Sequence, residues 1–372
     1  MPRFPVCVIG AGPAGRGFIH NLKRDWRTQV VGFTNRSPER RRAVAEETGV
    51  PGFATLAELL AQAPVRPRLA VIATANPTHR AFCEEALSAG LDVFCEKPMA
   101  MTLADCEAMV AAERTSGRQL QVGFEYRYGS MTARLTELLR QGAVGDLVSA
   151  DAVDSRGHWW PEHPDTPPAD VWRLNREVGG GPVLHCGIHQ LDLLRCYAGE
   201  VRRLQAFVGR QALPFYPADV PDHLTVQLQF ASGASGSLVV WHNKAPTWYR
   251  PSPPWTPQYH RVPGHHMDLI LAGRGGALVC ELYREELHVL RYDHAARETV
   301  LERTETFHHH HPGRTHHDSA GMVAVVAERL AQGQGVLHGA EDSLRTMRLA
   351  FAVDAAVQQA LTHGWSSDVV TL

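Results

Sequence analysis

Three polar residues interrupt the apolar helical pattern of "GGGPVLHCGIHQLDLL", residues 179–194. They are His185, His189 and Asp192, and a buried helix normally excludes such types. On an α-helix, positions i, i+4 and i+7 project from one face, so the three side chains are predicted to share that face. Because histidine exchanges a proton near neutral pH, the spacing predicts a proton-handling site on this helix.

A lysine is the second candidate for proton chemistry. Lys97 lies in "CEKP", which ends a predicted strand. Ligands of open α/β sheets bind at the carboxyl ends of the strands, where an amine can hold a substrate hydroxyl and assist its proton transfer. A surface lysine before a helix is the alternative interpretation.

A glycine-rich turn follows the first predicted strand. Gly10, Gly12 and Gly15 form the GxGxxG pattern of "GAGPAG", which also contains Pro13 and Ala14. The first glycine allows the tight turn, the second lets the backbone approach a pyrophosphate, and the third lets helix and strand pack closely. The helix N-terminus adds N–H donors, so we expect a dinucleotide cofactor here.

The end of the second predicted strand bears on the choice of cofactor. NAD enzymes normally carry an acid there for the ribose hydroxyls, whereas this chain has Asn35 and Arg36. A guanidinium can hold a 2′-phosphate, so NADP is slightly favoured over NAD. A solvated Arg36 with no ligand is the alternative.

The elements that must position these residues fall into two regions. Up to residue 123, short apolar strands alternate with helices, which predicts a Rossmann doubly wound parallel sheet in a domain that binds NAD(P). From residue 200 to 300 the pattern is alternating and β-rich. We therefore predict an α/β protein with this domain at residues 1–123. An α+β domain with an open, mostly antiparallel sheet, for substrate binding and oligomerisation, is predicted at residues 124–372.

Composition excludes several classes of partner. The 372 residues are 44% hydrophobic and 20% charged with a formal net charge of -2, so no global field favours nucleic acid or an anionic membrane. No leader pattern and no apolar run near 18 residues is present, and we expect a cytoplasmic protein. The seven scattered cysteines favour reduced core thiols.

Four segments together carry a family resemblance. In this order, "GAGPAG", "VIATANPTHRAFCEEALSAGLDVFCEKPMA", "VGFEYRY" and "GGGPVLHCGIHQLDLL" resemble the Gfo/Idh/MocA oxidoreductases, the group containing glucose-fructose oxidoreductase and inositol dehydrogenase. The resemblance covers essentially the whole chain. It implies a nicotinamide cofactor and usually a sugar, cyclitol or related polyol as substrate. By position it implies that Lys97 is the conserved lysine, that His189 is the catalytic histidine, and that Asn76 and His79 lie near the cofactor.

One position departs from the family pattern. Many members have Asp where this chain has His185, so an acceptor with a negative charge is replaced by an imidazole that offers one donor and one acceptor when neutral. The pair His185 and His189 also resembles two zinc ligands. Because the sequence identifies no third ligand, we predict no metal.

The predicted site has three sets of residues. Lys97 and His189 are the candidate catalytic pair. The candidate substrate contacts combine helix-face groups, an aromatic ring that can stack on a sugar and arginines that can anchor an anion: His185, Asp192, Arg127, Trp172 and Arg173. The candidate cofactor contacts are Gly10, Gly12, Pro13, Ala14, Gly15, Asn35, Arg36, Thr74, Asn76, His79, Glu96, Lys97 and Glu125.

Two aromatic loops and a histidine run complete the expectations. The loops at 158–172, with His158, Trp159, Trp160 and His163, and at 248–260 are candidates to cover a substrate. The run at 308–311 favours a solvated loop or a helix entry, with a position bordering the substrate site as the alternative, and a metal site is only weakly indicated.

The function expected from these features is hydride transfer between a polyol carbinol and nicotinamide. The alternatives are redox-neutral glycoside cleavage or epimerisation through transient oxidation by a tightly bound NAD(P), and a regulator that binds the cofactor without catalysis. A small-molecule substrate and a homodimer or homotetramer are the expected partners.

Overall fold

The computed structural model describes residues 2–155, 171–213, 216–242, 266–282, 284–307 and 318–372. The helices are α1 Pro13–Arg24, α2 Pro38–Thr48, α3 Leu56–Gln62, α4 His79–Ser88, α5 Leu103–Ser116, α6 Ser130–Arg140, α7 Ile188–Ala198, α8 Ser319–Ala331 and α9 Ala340–His363. The strands are β1 Phe4–Ile9, β2 Thr28–Thr34, β3 Gly52–Phe53, β4 Leu69–Ile72, β5 Asp92–Cys95, β6 Leu120–Val122, β7 Leu147–Ser155, β8 Val201–Val208, β9 His223–Phe230, β10 Ser235–Trp241, β11 His266–Gly273, β12 Gly276–Glu281, β13 Glu286–Asp293, β14 Glu298–Thr306 and β15 Val370–Thr371.

The chain divides into two compact units. Unit 1 comprises Met1–Phe124 and Asp318–Met347, and unit 2 comprises Glu125–His317 and Arg348–Leu372. The predicted boundary near residue 123 corresponds to the end of the first segment of unit 1. The division differs from the predicted one at 318–347, which packs with the N-terminal segment.

A six-stranded parallel sheet forms unit 1, in the order β3-β2-β1-β4-β5-β6. Strands β4 and β5 are buried at every position, because helices cover both faces of such a sheet. The order reverses between β1 and β4, which opens a crevice at their carboxyl ends where ligands of such sheets bind. The predicted Rossmann sheet is confirmed.

Helix α8 explains why a late segment belongs to unit 1. It packs against α1, β1 and β2, and Met322, Val323 and Val326 are fully or almost fully buried. The loop after it is held by the side chain of Gln121, whose Oε1 accepts hydrogen bonds from the N–H groups of Leu337 and His338. Sequence analysis missed this return of the chain.

Unit 2 contains a nine-stranded sheet in the order β14-β13-β12-β11-β7-β10-β9-β8-β15. All neighbours are antiparallel except β7 and β10, which are parallel. Strand β9 alternates between buried and more exposed positions, as expected for a sheet with one face on the core. The predicted mostly antiparallel sheet is confirmed.

Two smaller findings concern the thiols and the membrane. Six of the seven cysteines are buried and Cys196 is exposed, and all seven are free. Burial raises the pKa of the Cys7 thiol to about 12, so this thiol stays protonated. Within the described residues, no helix has the length and apolarity needed to cross a membrane.

Candidate active site

The glycine turn after β1 leaves open space at its second glycine. Gly10 has φ +100, and a Cβ there would lie 2.5 Å from the carbonyl oxygen of Ala73. A Cβ on Gly15 would lie 2.0 Å from the carbonyl oxygen of Gly10, whereas one on Gly12 would meet nothing within 4 Å. Two glycines are therefore required by packing, and the third borders room for a ligand.

The N-terminus of α1 fits a dinucleotide pyrophosphate. Gly12 is its N-cap, so the first turn lacks the side-chain acceptor that Ser37 supplies at the start of α2, where its Oγ accepts from the N–H of Arg40. Uncapped N–H groups and the helix dipole favour an anion at this position. The donor set and the space at Gly12 thus match the group that the sequence predicts.

A second arginine supports the turn after β2. Arg36 is exposed, as a residue that binds a ligand phosphate at the surface would be. Arg41 Nη1 donates to the carbonyl oxygens of Asn35 and Arg36 at 2.7 and 3.0 Å, and Asn35 Oδ1 accepts from the N–H of Ser37. Sequence analysis missed Arg41, although "ERRR" after the turn is a signal for it.

Lys97 lies at the crevice edge of the sheet. It follows β5 by two residues and is half-buried, and its backbone N–H donates to Oε2 of Glu96 at 3.1 Å. At the end of β4, the hydroxyl of Thr78 donates to the hydroxyl of Thr74 at 2.9 Å. The ends of β1, β2, β4 and β5 therefore carry the candidate cofactor contacts of unit 1 on one edge.

His79 holds two of these strand ends together. Its Nδ1 lies 2.8 Å from the carbonyl oxygen of Pro98, and its Nε2 lies 3.3 Å from that of Thr74. Burial lowers the pKa of His79, which favours the neutral ring, and the single N–H of that ring donates to one of the two carbonyl oxygens. Since both ring nitrogens face backbone carbonyls, the structure assigns the side chain a contact with the residue after Lys97. Asn76 is buried in the short helix Asn76–Thr78 beside it.

In unit 2, a short helix runs beside α7. This is the 3₁₀-helix Glu125–Tyr128, called here the 125–128 segment. Arg127 binds the carboxylate of Asp192 through both Nε and Nη2, and their side chains are 12% and 1% exposed. A bidentate pair of this kind fixes both partners in direction as well as distance. The structure therefore brings together two predicted substrate contacts, but as partners of each other.

The same segment surrounds the ring of His189. The Tyr126 ring stacks on it with 4.3 Å between centroids and 19° between planes. Oε2 of Glu125 lies 3.7 Å from Nδ1 of His189, and both side chains are almost fully buried. Sequence analysis missed Tyr126 and placed Glu125 at the cofactor. The run "EYR", which begins three residues after the end of the buried strand β6, is the signal that these residues act together.

His185 has a separate set of partners. Nε of Arg173 donates to Nε2 of His185 at 3.2 Å, and the Trp172 ring meets the imidazole edge-on at 5.4 Å. The Arg173 guanidinium lies over the Trp172 ring at 4.6 Å. Because Nε2 accepts this bond, His185 is in its neutral form with the proton on Nδ1. These three predicted substrate contacts therefore form one cluster.

The helix that carries the histidines is not uniform. Residues Val183–Gly187 form a π-helix, and α7 begins at Ile188, whereas the sequence predicted one α-helix from Leu184. The glycines before it permit a close approach: a Cβ on Gly179 would lie 2.3 Å from the carbonyl oxygen of Trp172. Short π-helices occur most often at functional sites, and this one carries His185.

Several predicted features lie outside the described residues. They are the loop residues His158, Trp159, Trp160 and His163, the loop 248–260 and the histidine run 308–311. Within the described ranges, no group of three or more His, Cys, Asp or Glu side chains is placed to hold a metal ion.

Known proteins resemble the chain in sequence over much of its length. The 1,5-anhydro-D-fructose reductase of Ensifer adhaerens is 32% identical over 189 residues, which is 50% of this chain and 54% of that protein. The inositol 2-dehydrogenase of Acidothermus cellulolyticus is 31% identical over 230 residues, 61% of this chain and 63% of that protein. The matched part thus spans between half and two thirds of these relatives.

The fold is shared with a solved enzyme structure. Levoglucosan dehydrogenase in complex with NADH aligns over 100% of both chains with a TM-score of 0.79 and 21% identity. Residues 4–124 match "Oxidoreductase family, NAD-binding Rossmann fold", and residues 132–256 match "GFO/IDH/MocA C-terminal domain". With both family domains present in this order and on these two folds, the chain belongs to the GFO/IDH/MocA family of oxidoreductases.

Proposed function

We propose that the protein is an NAD(P)-dependent dehydrogenase or reductase acting on a CH–OH group of a sugar, cyclitol or related polyol. The observation that carries the proposal is the position of Lys97, two residues beyond β5 on the same sheet edge as the open glycine turn. An amine at this edge stands where a nucleotide's reacting end is expected. Family membership and the substrates named for the relatives support the substrate class.

Each group of the chain has a defined task in this proposal. The bound nicotinamide supplies the hydride acceptor or donor. The N-terminus of α1 holds the pyrophosphate beside Gly12. Lys97 in unit 1 and His189 in unit 2 are the proposed proton-handling residues, with His189 as the group that takes a proton during oxidation and returns it during reduction. His185, Trp172 and Arg173 bind the substrate, with the half-exposed indole offering a face to a sugar ring.

The preference for NADP is part of the proposal. Arg36 is exposed at the end of β2, and Arg41 fixes the backbone of the turn that presents it. Two guanidinium groups at this turn suit a 2′-phosphate better than an unmodified ribose.

The function is tested by turnover with defined variants. We expect the purified protein to reduce NAD(P) at 340 nm with at least one member of a panel of sugars, cyclitols and their glycosides. Lys97→Met and His189→Asn are expected to lower kcat by at least about 10²-fold while cofactor affinity is kept, the usual scale for acid–base groups. His363→Asn is the matched control, because His363 is exposed at the end of α9.

Two results would overturn the proposal. Release of an aglycone or formation of an epimer without accumulation of reduced cofactor would show the redox-neutral alternative. Cofactor binding with no conversion of any panel member would favour the regulator.

A homodimer or homotetramer through the open sheet face is also proposed. One face of the sheet carries two pairs of partly exposed apolar residues, Val153 with Val239 on β7 and β10, and Ile270 with Val279 on β11 and β12. The two pairs lie diagonally to each other, since Ile270 is opposite Asp151. Such an apolar patch is stabilised when a second copy covers it. Light scattering after size exclusion is expected to give a multiple of the 41.0 kDa chain, and Ile270→Lys to reduce it. A wild-type monomer would refute this assembly.

A further inference from the structure

The 125–128 segment offers His189 more than a packing partner. Stacking on Tyr126 fixes the plane of the imidazole, because a stacked ring cannot turn out of its plane without losing the contact. The stacked arrangement leaves the two nitrogens at the edge of the ring, one on each side. A half-turn about the Cβ–Cγ bond would keep the stack, so the contact of Nδ1 with Glu125 is what distinguishes the two edges of the ring.

The nitrogen that faces the 125–128 segment is Nδ1. It lies 3.7 Å from Oε2 of Glu125, and the two side chains are 4% and 6% exposed. This distance is longer than a hydrogen bond but within the range of a charge interaction. Catalytic hydrogen bonds are often long before substrate binds and shorten in the complex. With Nδ1 directed to the carboxylate, the other ring nitrogen, Nε2, is the one that the proposed proton transfer uses.

The segment itself is anchored independently of this contact. Arg127 binds Asp192, which lies on α7 three positions after His189. Both carboxylate oxygens of Asp192 take part, so the charge of Arg127 is balanced by Asp192. Glu125 is thereby held beside His189 by a pair that does not use its own carboxylate.

His185 stands where many family members have Asp, so it provides no carboxylate beside His189. Its Nε2 accepts from Arg173, and its ring is directed to Trp172 and Arg173. The 125–128 segment, strand β7, the π-helix and α7 carry these titratable or charged groups: Glu125, Tyr126, Arg127, Tyr128, Asp151, Asp154, His185, Cys186, Asp192, Arg195, Cys196 and Tyr197. Among them, the carboxylate of Glu125 lies within 4 Å of Nδ1 of His189.

We propose that Glu125 is the positioning residue of His189, holding the proton on Nδ1 and stabilising the imidazolium that forms when Nε2 accepts the substrate hydroxyl proton. This inference rests on the proposed function for its reaction step. In that step the C–H hydride passes to the nicotinamide, the O–H proton passes to Nε2, and the carbinol becomes a carbonyl. The Glu125 carboxylate keeps its charge throughout, as an orienting carboxylate beside a histidine base does.

The first test does not depend on turnover. Full-length protein labelled with [¹⁵N]histidine gives the tautomer of His189 from long-range ¹H–¹⁵N correlations, with His189→Asn providing the assignment. The wild type is expected to show the Nδ1–H form, and Glu125→Gln to lose its predominance. An unchanged tautomer in Glu125→Gln would overturn the proposal whether or not a substrate is known.

The second test is the pH dependence of kcat. Glu125→Gln is expected to lower kcat by at least about 10-fold, the lower end of the scale for carboxylates that orient a metal-bound histidine, with cofactor affinity unchanged. Because a nearby negative charge favours the imidazolium, its removal is expected to move the acidic limb of the profile to lower pH. Glu125→Asp keeps the charge and is expected to retain the wild-type limb with part of the activity.

Controls separate this role from a purely structural one. Glu298→Gln removes an exposed carboxylate at the start of β14 and is expected to leave both readouts unchanged. A loss of kcat in Glu125→Gln with an unmoved acidic limb would assign Glu125 to packing and overturn the proposal. If the wild type converts no panel member, the proposed function fails and the tautomer alone decides. If Glu125→Gln does not fold, the test passes to Glu125→Asp, which keeps the negative charge. A shifted acidic limb of its pH profile together with loss of the Nδ1–H tautomer would contradict the proposal.

Discussion

Replacement of Asp192 by Asn distinguishes a structural ion pair from a substrate contact. Asn has nearly the same shape as Asp but presents one oxygen and one NH₂ group to the guanidinium of Arg127. One of the two hydrogen bonds is lost, and a guanidinium that is only 12% exposed loses its counter-charge. Breaking a buried pair in this way costs about 3–5 kcal/mol.

The expected magnitude can be expressed as a melting temperature. Unit 2 contains roughly 220 residues, and for domains of this size each kcal/mol of lost stability lowers Tm by about 2–4 °C. Asp192→Asn is therefore expected to lower the Tm of unit 2 by about 6–20 °C. Urea unfolding at pH 7, followed by tryptophan fluorescence, gives the same difference as a free energy. The double variant Arg127→Gln/Asp192→Asn is expected to recover part of the loss, because it leaves no buried charge unpaired.

The opposite result would change the assignment of both residues. If Asp192 instead serves the substrate, Asp192→Asn would raise KM and leave unfolding within about 0.5 kcal/mol of the wild type, as for substitutions that break no buried contact. The reasoning from the ion pair would then be refuted.

Four further predictions concern single positions. Arg36→Ala is expected to weaken the binding of NADP by about 10- to 150-fold, the value of one charge-assisted hydrogen bond, and the binding of NAD much less. Equal losses of affinity for the two cofactors in titrations would contradict this prediction. His185→Asn keeps an acceptor for Arg173 and is expected to retain substantial kcat, with a weaker acidic limb in the pH profile of kcat. Inactivity as complete as that of His189→Asn would make His185 an acid or base itself. Gly179→Ala places a Cβ 2.3 Å from a backbone oxygen and is expected to cost about 1–3 kcal/mol in urea unfolding and to raise KM, which wild-type values would disprove. Burial raises the pKa of Glu285 to about 7, so the folded protein binds this proton more tightly than the unfolded chain and loses stability as pH rises through that range; Glu285→Gln is therefore expected to be more stable than the wild type at pH 8 but not at pH 5, and an equal gain at both values would argue against it.

The Rossmann sheet was predictable because its signals are local. A strand such as "LAVI" is apolar at every position, and the glycine turn has Gly10 and Gly15 where packing requires a glycine. Lys97 follows from the same reasoning, since it comes shortly after a strand. The cofactor-binding edge of unit 1 could thus be drawn from the sequence.

The surroundings of His189 could not be predicted in this way. Arg127 and Asp192 are 65 residues apart, and neither position shows periodicity that indicates its partner. The stacking of Tyr126 likewise depends on tertiary packing. A hydrophobic pattern states which side of an element is buried, but not which buried polar groups meet there. The parallel pairing of β7 and β10 was missed for the same reason.

The return of residues 318–347 to unit 1 has a consequence for the order in which the protein is made. A ribosome adds about 5–20 residues per second, so α8 leaves it roughly 10–40 s after residue 124. Until then, the nascent N-terminal segment exposes the apolar surface that α8 covers in the finished protein. Unit 1 is therefore completed only after residues 125–317 have been made, and in the meantime its α1 surface is available to chaperones.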